Sequence, residues 1–367
     1  MNQISIPYKL RLLNSNKEVS DELIEIIKEY KFLRVAIITT KTPTHLISDS
    51  LEVSLFRLVE KIKTFQVIDA SISYVNQLEL KDFDVIIGVG GGKVIDVAKY
   101  AAHVNDVSFI SIPTTISNDG ICSPISVLKE KNNKYKSLGA KVPIALLVPL
   151  HIVEKAGEEA IISGIGDLLS NLSAIEDWKL ANKEKGEHID DFAILIAKNA
   201  ALTIKSLIEV YILHNKTKSE FLNENITTVI ESLALSGVAM EIAGTSRPAS
   251  GAEHLISHSI DELYGGMKPH GIQVAFSMLI TTFLRAELGY IPKRFLQELK
   301  VVLRFLGIPT TLQLMEFTKE QLVETIIYAP QTRADRYTIL NKIKLENDFI
   351  AELISKLFIQ NLVVSVN

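Results

Sequence analysis

The chain has 367 residues, 47% hydrophobic and 22% charged, the composition of an ordinary globular protein. Its net charge of −4 excludes a strongly basic surface, so neither nucleic acid nor an anionic membrane is expected as a partner. Its one cysteine, Cys122, excludes both a disulfide framework and a cysteine-rich metal site. The opening residues MNQISIPYKLRLLNSNKEVS carry no signal-peptide core. No apolar run looks long enough to span a bilayer, so a cytoplasmic protein without membrane insertion is expected.

In chain order, the β-branched runs 33–40, 65–71, 84–89, 107–114 and 143–149 read as strands. Amphipathic segments 48–63 and 93–103 read as helices between them. This alternation predicts an α/β domain with a doubly wound, mainly parallel sheet over residues 1–155. From 156 to 367 helical periodicity takes over, as in GDLLSNLSAIEDWKLANKE and DFAILIAKNAALTIKSLIEVYILH, and predicts an all-α second domain. The active site is expected in the cleft between the two.

Within DVIIGVGGGKVIDVAKYAAH a strand runs through Gly90, Gly91 and Gly92 into a helix near Lys93. Three glycines allow close backbone approach, and a helix N-terminus favours an anion such as a pyrophosphate. The same pattern also serves as a tight strand-to-helix turn with no ligand. It is GGGxxxD rather than GxGxxG, and it follows a late strand rather than the first. The next strand ends in a polar cluster: Thr114, Thr115, Ser117, Asn118, Asp119 and Ser123. Ligands in open α/β sheets bind at such strand ends, and the cluster reads as a second wall of one nucleotide site.

The segment SRPASGAEHLISHSIDELYGGMKPHG gathers His254, His258 and His270 from a chain with eight histidines. His254 and His258 are four apart, hence on one helical face. His270 follows a Gly-Gly turn and Pro269 and opens the next helix. Asp167 sits in SGIGDLLSN, read as the start of an apolar helix, where the dipole alone would favour a carboxylate. One carboxylate and two imidazoles would leave open positions on a catalytic metal. His258, on the same face, reads as a fourth ligand or as a proton-relaying, substrate-facing group, and the second reading is preferred.

The order GGGKVIDVAK, IPTTISNDG, GIGDLLSN, SRPASGAEHLISHSID, HGIQVA resembles the dehydroquinate-synthase-like and iron-containing alcohol dehydrogenase superfamily. SNDG, GDLLSN followed by DW, the RPASG-EH-SH run and TRADRYTIL resemble its glycerol-1-phosphate dehydrogenase branch. The resemblance implies that Asp167, His254 and His270 hold Zn2+. It implies that Gly90, Gly91, Gly92, Lys93, Val94, Asp96, Thr114, Thr115, Ser117 and Ser123 hold NAD(P)H. It also implies that Asp119, Asp167 and His258 face the substrate, with His258 or a water it orders supplying the proton.

Iron-dependent relatives place a histidine four residues after the metal-binding aspartate; here Asn171 stands there, which favours zinc. Dehydroquinate synthases use a glutamate where this chain has Asp167. A familiar aspartate is replaced by Pro149 or Leu150. TTKTPT after the first strand lacks an acidic partner for a ribose and offers Lys41, which permits NADPH as well as NADH. The implied reaction is reversible reduction of dihydroxyacetone phosphate to sn-glycerol 1-phosphate for lipid backbones, by a homo-oligomer. Arg247 and Lys141 are the phosphate candidates, by position and charge alone. The competing readings are a zinc polyol or glycerol dehydrogenase acting on an unphosphorylated substrate, a phosphate-eliminating synthase, and a non-catalytic nucleotide-binding protein.

Overall fold

The computed structural model describes residues 9–41, 45–130 and 134–359. The leader reading before residue 9 and Thr42–Thr44 of the TTKTPT segment lie outside the described residues. Two compact units divide the chain, Met1–Ile161 and Ile162–Asn367.

The first unit reads β1 (Lys9–Leu13), α1 (Asn16–Tyr30), β2 (Arg34–Thr39), α2 (His45–Leu55), β3 (Lys61–Gln66), α3 (Ile72–Val75), β4 (Val85–Gly90), α4 (Gly92–Asn105), β5 (Ser108–Pro113), β6 (Ile125–Lys129), β7 (Tyr135–Gly139), β8 (Ala145–Pro149) and α5 (Leu150–Val153). Six strands form one sheet in the order β1-β8-β5-β4-β2-β3, every pair parallel. β6 and β7 make a separate antiparallel hairpin. Because the sheet is covered on both faces, its central strands are mostly apolar. Val35, Ile37, Val85, Ile87, Ile110 and Leu147 pack under α1 and α2. Ala36, Ile38, Ile86 and Phe109 pack under α4 through Val94, Ile95 and Ala98. Gly88 permits that contact, since a Cβ there would lie 2.8 Å from the Ala98 Cβ.

Two sequence expectations are corrected here. The strand expected at 65–71 runs instead over Lys61–Gln66, and the preceding helix stops at Leu55 rather than Lys63. β3 is an edge strand, and Lys61 and Lys63 lie over the rings of Phe83 and Phe65. Lysines suit an exposed edge, yet in sequence they prolong a helical pattern. The opposite edge strand, β1, and the β6–β7 hairpin were not foreseen.

The second unit is helical: α6 (Glu158–Leu169), which starts just ahead of the division, α7 (Asn171–Lys185), α8 (Asp191–Leu213), α9 (Lys218–Ala243), α10 (Ala252–Tyr264), α11 (His270–Glu287), α12 (Arg294–Leu306), α13 (Leu312–Met315), α14 (Lys319–Thr332) and α15 (Asn347–Ile359). Contrary to the sequence expectation, one described helix, α9, is long and apolar enough to cross a membrane. Its Phe221, Leu222, Val229, Ile230 and Leu233 are buried within the unit, as in a core helix. α10 packs against α11 and α14. α6 and α11 touch backbone to backbone: a Cβ on Gly271 would stand 1.8 Å from the Ser163 carbonyl oxygen, and one on Gly166 2.4 Å from that of Gly271.

Candidate functional site

The close crossing of α6 and α11 sets the site, because Asp167 follows Gly166 and His270 precedes Gly271. The Gly271 N–H donates to Ser163 Oγ at 3.1 Å and pins the crossing. His270 is the first residue of α11, and His254 lies in the first turn of α10. Oxygen and nitrogen atoms of Asp167, His254 and His270 all come within 4.8 Å of one another. Asp167 Oδ1 is 3.4 Å from His254 Nε2 and 3.8 Å from His270 Nε2. Ligands at about 2.0–2.2 Å from a tetrahedral zinc stand roughly 3.3–3.6 Å apart, so the set is close to closing on an ion.

Asp167 lies in the last turn of α6 rather than at a helix start, which corrects the sequence reading. The dipole disfavours a carboxylate at that end, so the helix does not account for this buried group. The other imidazole nitrogens have partners too. His254 Nδ1 is 3.1 Å from Glu253 Oε1, and His270 Nδ1 is 3.4 Å from Ser257 Oγ. Such partners fix which ring nitrogen faces a metal. Burial opposes a charge on His254, but Asp167 and Glu253 outweigh it and raise its pKa to about 9. The surroundings therefore favour positive charge at the Nε2 position.

Glu253 was not singled out from sequence. It is fully buried, accepts from Ser173 Oγ at 2.7 Å, and receives the Gly251 N–H. Ser173 in turn takes a hydrogen bond from Arg285, which pairs with Asp177 at 2.7 Å. Asp177 also accepts the Ala252 and Ile339 N–H groups. Burial favours the neutral acid of Glu253, but His254, Ser173 and Arg285 hold its pKa below the usual value. Gln273 was missed as well: it accepts from Met267 and Lys268 N–H and donates to Asp261, fastening the loop before His270 to α10.

His258 is half-buried, its ring 6.3 Å from that of His254 and 6.1 Å from that of His270. Burial and the charges of His270, His254, Arg333 and Arg336 hold its pKa well below the ordinary histidine range, so the ring is neutral near pH 7. Asn171 turns away: buried, its Nδ2 donates to Ser236 Oγ at 3.0 Å and to the Ala197 carbonyl.

In the first unit, Gly91 caps α4, and the Thr114 N–H donates to the Gly90 carbonyl at 2.9 Å. A Cβ on Gly91 would lie 3.5 Å from Thr115 Oγ1, so the glycine turn and the Thr114–Thr115 segment adjoin, as expected. A Cβ on Gly92 would meet nothing within 4 Å, which leaves room at the helix N-terminus. Gly90 has a packing role, since its Cβ would strike Val94 at 2.8 Å; the Val94 side chain is buried and Lys93 is exposed. Asp96 and Ser123 gather around buried Lys99, at 3.0 and 3.4 Å, and Lys99 also donates to the Gly120 carbonyl. Asp119 is half-buried and opens a 3₁₀ turn after the Asn118 cap; Ser117 is half-buried just before it.

The phosphate candidates fare differently. Arg247 is buried and bound by both oxygens of Glu187 and by the Tyr337 carbonyl. Lys141 pairs with Asp106 at 2.7 Å at the exposed C-terminal end of α4.

The family model of iron-containing alcohol dehydrogenases matches residues 14–157. A glycerol-1-phosphate dehydrogenase [NAD(P)+] of Staphylothermus marinus is 35% identical over 350 residues, covering 93% of this chain and 94% of its own. That of Pyrococcus horikoshii is 34% identical, covering 89% and 91%. Among solved structures, glycerol dehydrogenase from Schizosaccharomyces pombe superposes with a TM-score of 0.75 at 22% identity, over 100% of this chain and 94% of its own, and so shares the fold. The chain belongs to the glycerol-1-phosphate dehydrogenase family, within the iron-containing alcohol dehydrogenase superfamily.

Proposed function

We propose that the chain reduces dihydroxyacetone phosphate to sn-glycerol 1-phosphate with NAD(P)H, reversibly, with zinc held by Asp167, His254 and His270. Its family makes it an NAD(P)-dependent oxidoreductase. The observation that carries the finer reading is the convergence of Asp167, His254 and His270, with Glu253 and Ser257 behind the two imidazoles. The donor set is nitrogen and oxygen without sulfur, which suits Zn2+. Asn171 is engaged with Ser236, which supports a three-residue set over the four-residue set of iron-dependent relatives.

When bound, the nicotinamide supplies hydride at C2 and zinc supplies a Lewis acid for the oxygen that becomes an alkoxide. The protein's own residues do the rest. Glu253 and Ser257 orient the two imidazoles. Asp167 contributes the one negative ligand, so the site keeps positive charge for the developing alkoxide. His258, neutral and one helical turn from His254, relays a proton to that oxygen, taking one up from water at one ring nitrogen as the other releases its own. The N-terminus of α4, bared by Gly91 and Gly92, receives the dinucleotide's pyrophosphate, with Lys93, Val94, Asp96, Thr114, Thr115, Ser117 and Ser123 around it. Asp119 takes a substrate hydroxyl; this role rests on the family resemblance. The product would enter lipid backbones in the cytoplasm.

A coupled NAD(P)H assay tests the reading, run with dihydroxyacetone phosphate against dihydroxyacetone and followed by chiral analysis of the product. Preference for the phosphorylated ketone and an sn-1 product support it. Equal turnover of dihydroxyacetone points to a polyol dehydrogenase, and turnover with no net change in cofactor points to a synthase.

A further inference from the structure

The TRADRYTIL segment after α14 places Arg333 and Arg336 without a carboxylate in ion-pair contact among the described residues, although Asp335 lies between them in the chain. Arg336 is 7% exposed, and its guanidinium donates only to neutral oxygens, the Ser250 carbonyl and Ser246 Oγ, the latter at 3.0 Å. Arg333, half-buried, donates to the same Ser246 Oγ at 3.3 Å. Among the described residues neither guanidinium has an ion-pair partner. The nearby Glu187 is already held by both nitrogens of Arg247. Asp335 and Glu187 act on Arg336, and Asp335 on Arg333, only through space and without a hydrogen bond.

A buried cation without a partner is costly, and proteins keep one where an anion is to bind. Burial first, then the charges of Arg333 and Arg247, push the Arg336 pKa down to about 9 against the weaker pull of Asp335 and Glu187. A guanidinium has five N–H donors; Arg336 commits only its contacts to Ser250 and Ser246, which leaves donors for a tetrahedral oxyanion.

The pair also lies beside the chemistry. The charges of Arg333 and Arg336 reach His258, whose ring neighbours those of His254 and His270. Ser250, held by Arg336, precedes α10 by two residues, and the first turn of α10 carries His254.

We propose that Arg333 and Arg336, gathered by Ser246, bind the phosphate of the substrate. The assignment rests on the dihydroxyacetone phosphate reading and replaces Arg247 and Lys141, whose charges are already met.

The test uses the zinc-loaded full chain with Arg333→Gln and, as a milder change of the buried position, Arg336→Lys. Each should lower the ratio of kcat/KM for dihydroxyacetone phosphate over dihydroxyacetone by about 10- to 100-fold, the size of a lost charged hydrogen bond. The loss should fall on the KM for the ketone phosphate, with the KM for NAD(P)H unmoved. An unchanged ratio, or a loss confined to the cofactor KM, overturns the assignment. A second readout does not need the reaction: inorganic phosphate should raise the unfolding temperature of the wild type and not that of Arg333→Gln. If the wild type ignores dihydroxyacetone phosphate while phosphate still stabilises it through Arg333, the anion site stands and the substrate reading falls. Equal stabilisation of wild type and variant removes the site.

Discussion

Gly166 and Gly271 meet with no room for a side chain on either, and their contact brings Asp167 beside His270. A Cβ on Gly271 would sit 1.8 Å from the Ser163 carbonyl oxygen and 3.0 Å from the Asp167 nitrogen. The placing of Asp167 beside His270 thus depends on two glycines. Gly271→Ala must push α11 off α6. It should destabilise the protein by about 3 kcal/mol, at the upper end of overpacking costs. Denaturant unfolding checks this, and zinc binding should weaken in step. An unaltered midpoint would mean the helices part easily and the crossing is not what sets the ligands.

The buried relay behind His254 should govern metal affinity. Glu253→Gln keeps the shape and removes the charge facing His254 Nδ1. Zinc affinity, measured by competition with a chromogenic chelator, should fall about 10- to 100-fold, the usual consequence of losing such a partner. Affinity equal to the wild type would show that Glu253 serves only to satisfy Gly251 and Ser173.

At the glycine turn two of the three positions should separate. Gly92→Ala adds a methyl group into open space at a helix N-terminus. Unfolding should shift by less than about 1 kcal/mol, since no buried contact changes, while the KM for NAD(P)H rises. Gly90→Ala drives a Cβ into Val94 and should instead lower stability. If Gly92→Ala leaves the cofactor KM unchanged, the dinucleotide does not rest on this turn.

Much of this was legible in the chain. The histidine spacing, the glycine turn and the strand–helix alternation all reflect local periodicity, and the structure keeps them. Asp167 was assigned to the wrong end of a helix, because α6 and α7 meet at Ser170 with hardly a break and the apolar pattern runs through both. β3 was displaced because Lys61 and Lys63 on an exposed edge mimic the polar face of a helix. Glu253, Arg333 and Arg336 meet Ser173, Ser246 and Ser250 from far away in sequence, and no spacing rule reports those contacts.

A pH effect is expected away from the site. Asp84 accepts from the Leu33 and Arg34 N–H groups at 2.9 and 2.8 Å and from the Arg34 guanidinium at 2.6 Å. Burial acts to raise its pKa, but Arg34 and the two backbone groups outweigh it and hold it below the usual carboxylate range. Its stabilising contribution is therefore complete above the unfolded value, about 3.9, and is lost as pH falls through the lower folded value. The gap in unfolding midpoint between wild type and Asp84→Asn should be widest near neutral pH and close in acid. A gap that is constant with pH would contradict this.

The most direct measurement is metal content alongside turnover in purified wild type and Asp167→Ala. The account predicts one zinc per wild-type chain, with dihydroxyacetone phosphate reduced, and a folded Asp167→Ala chain that holds no zinc and oxidises no NAD(P)H. Full activity in a metal-free Asp167→Ala protein would contradict it.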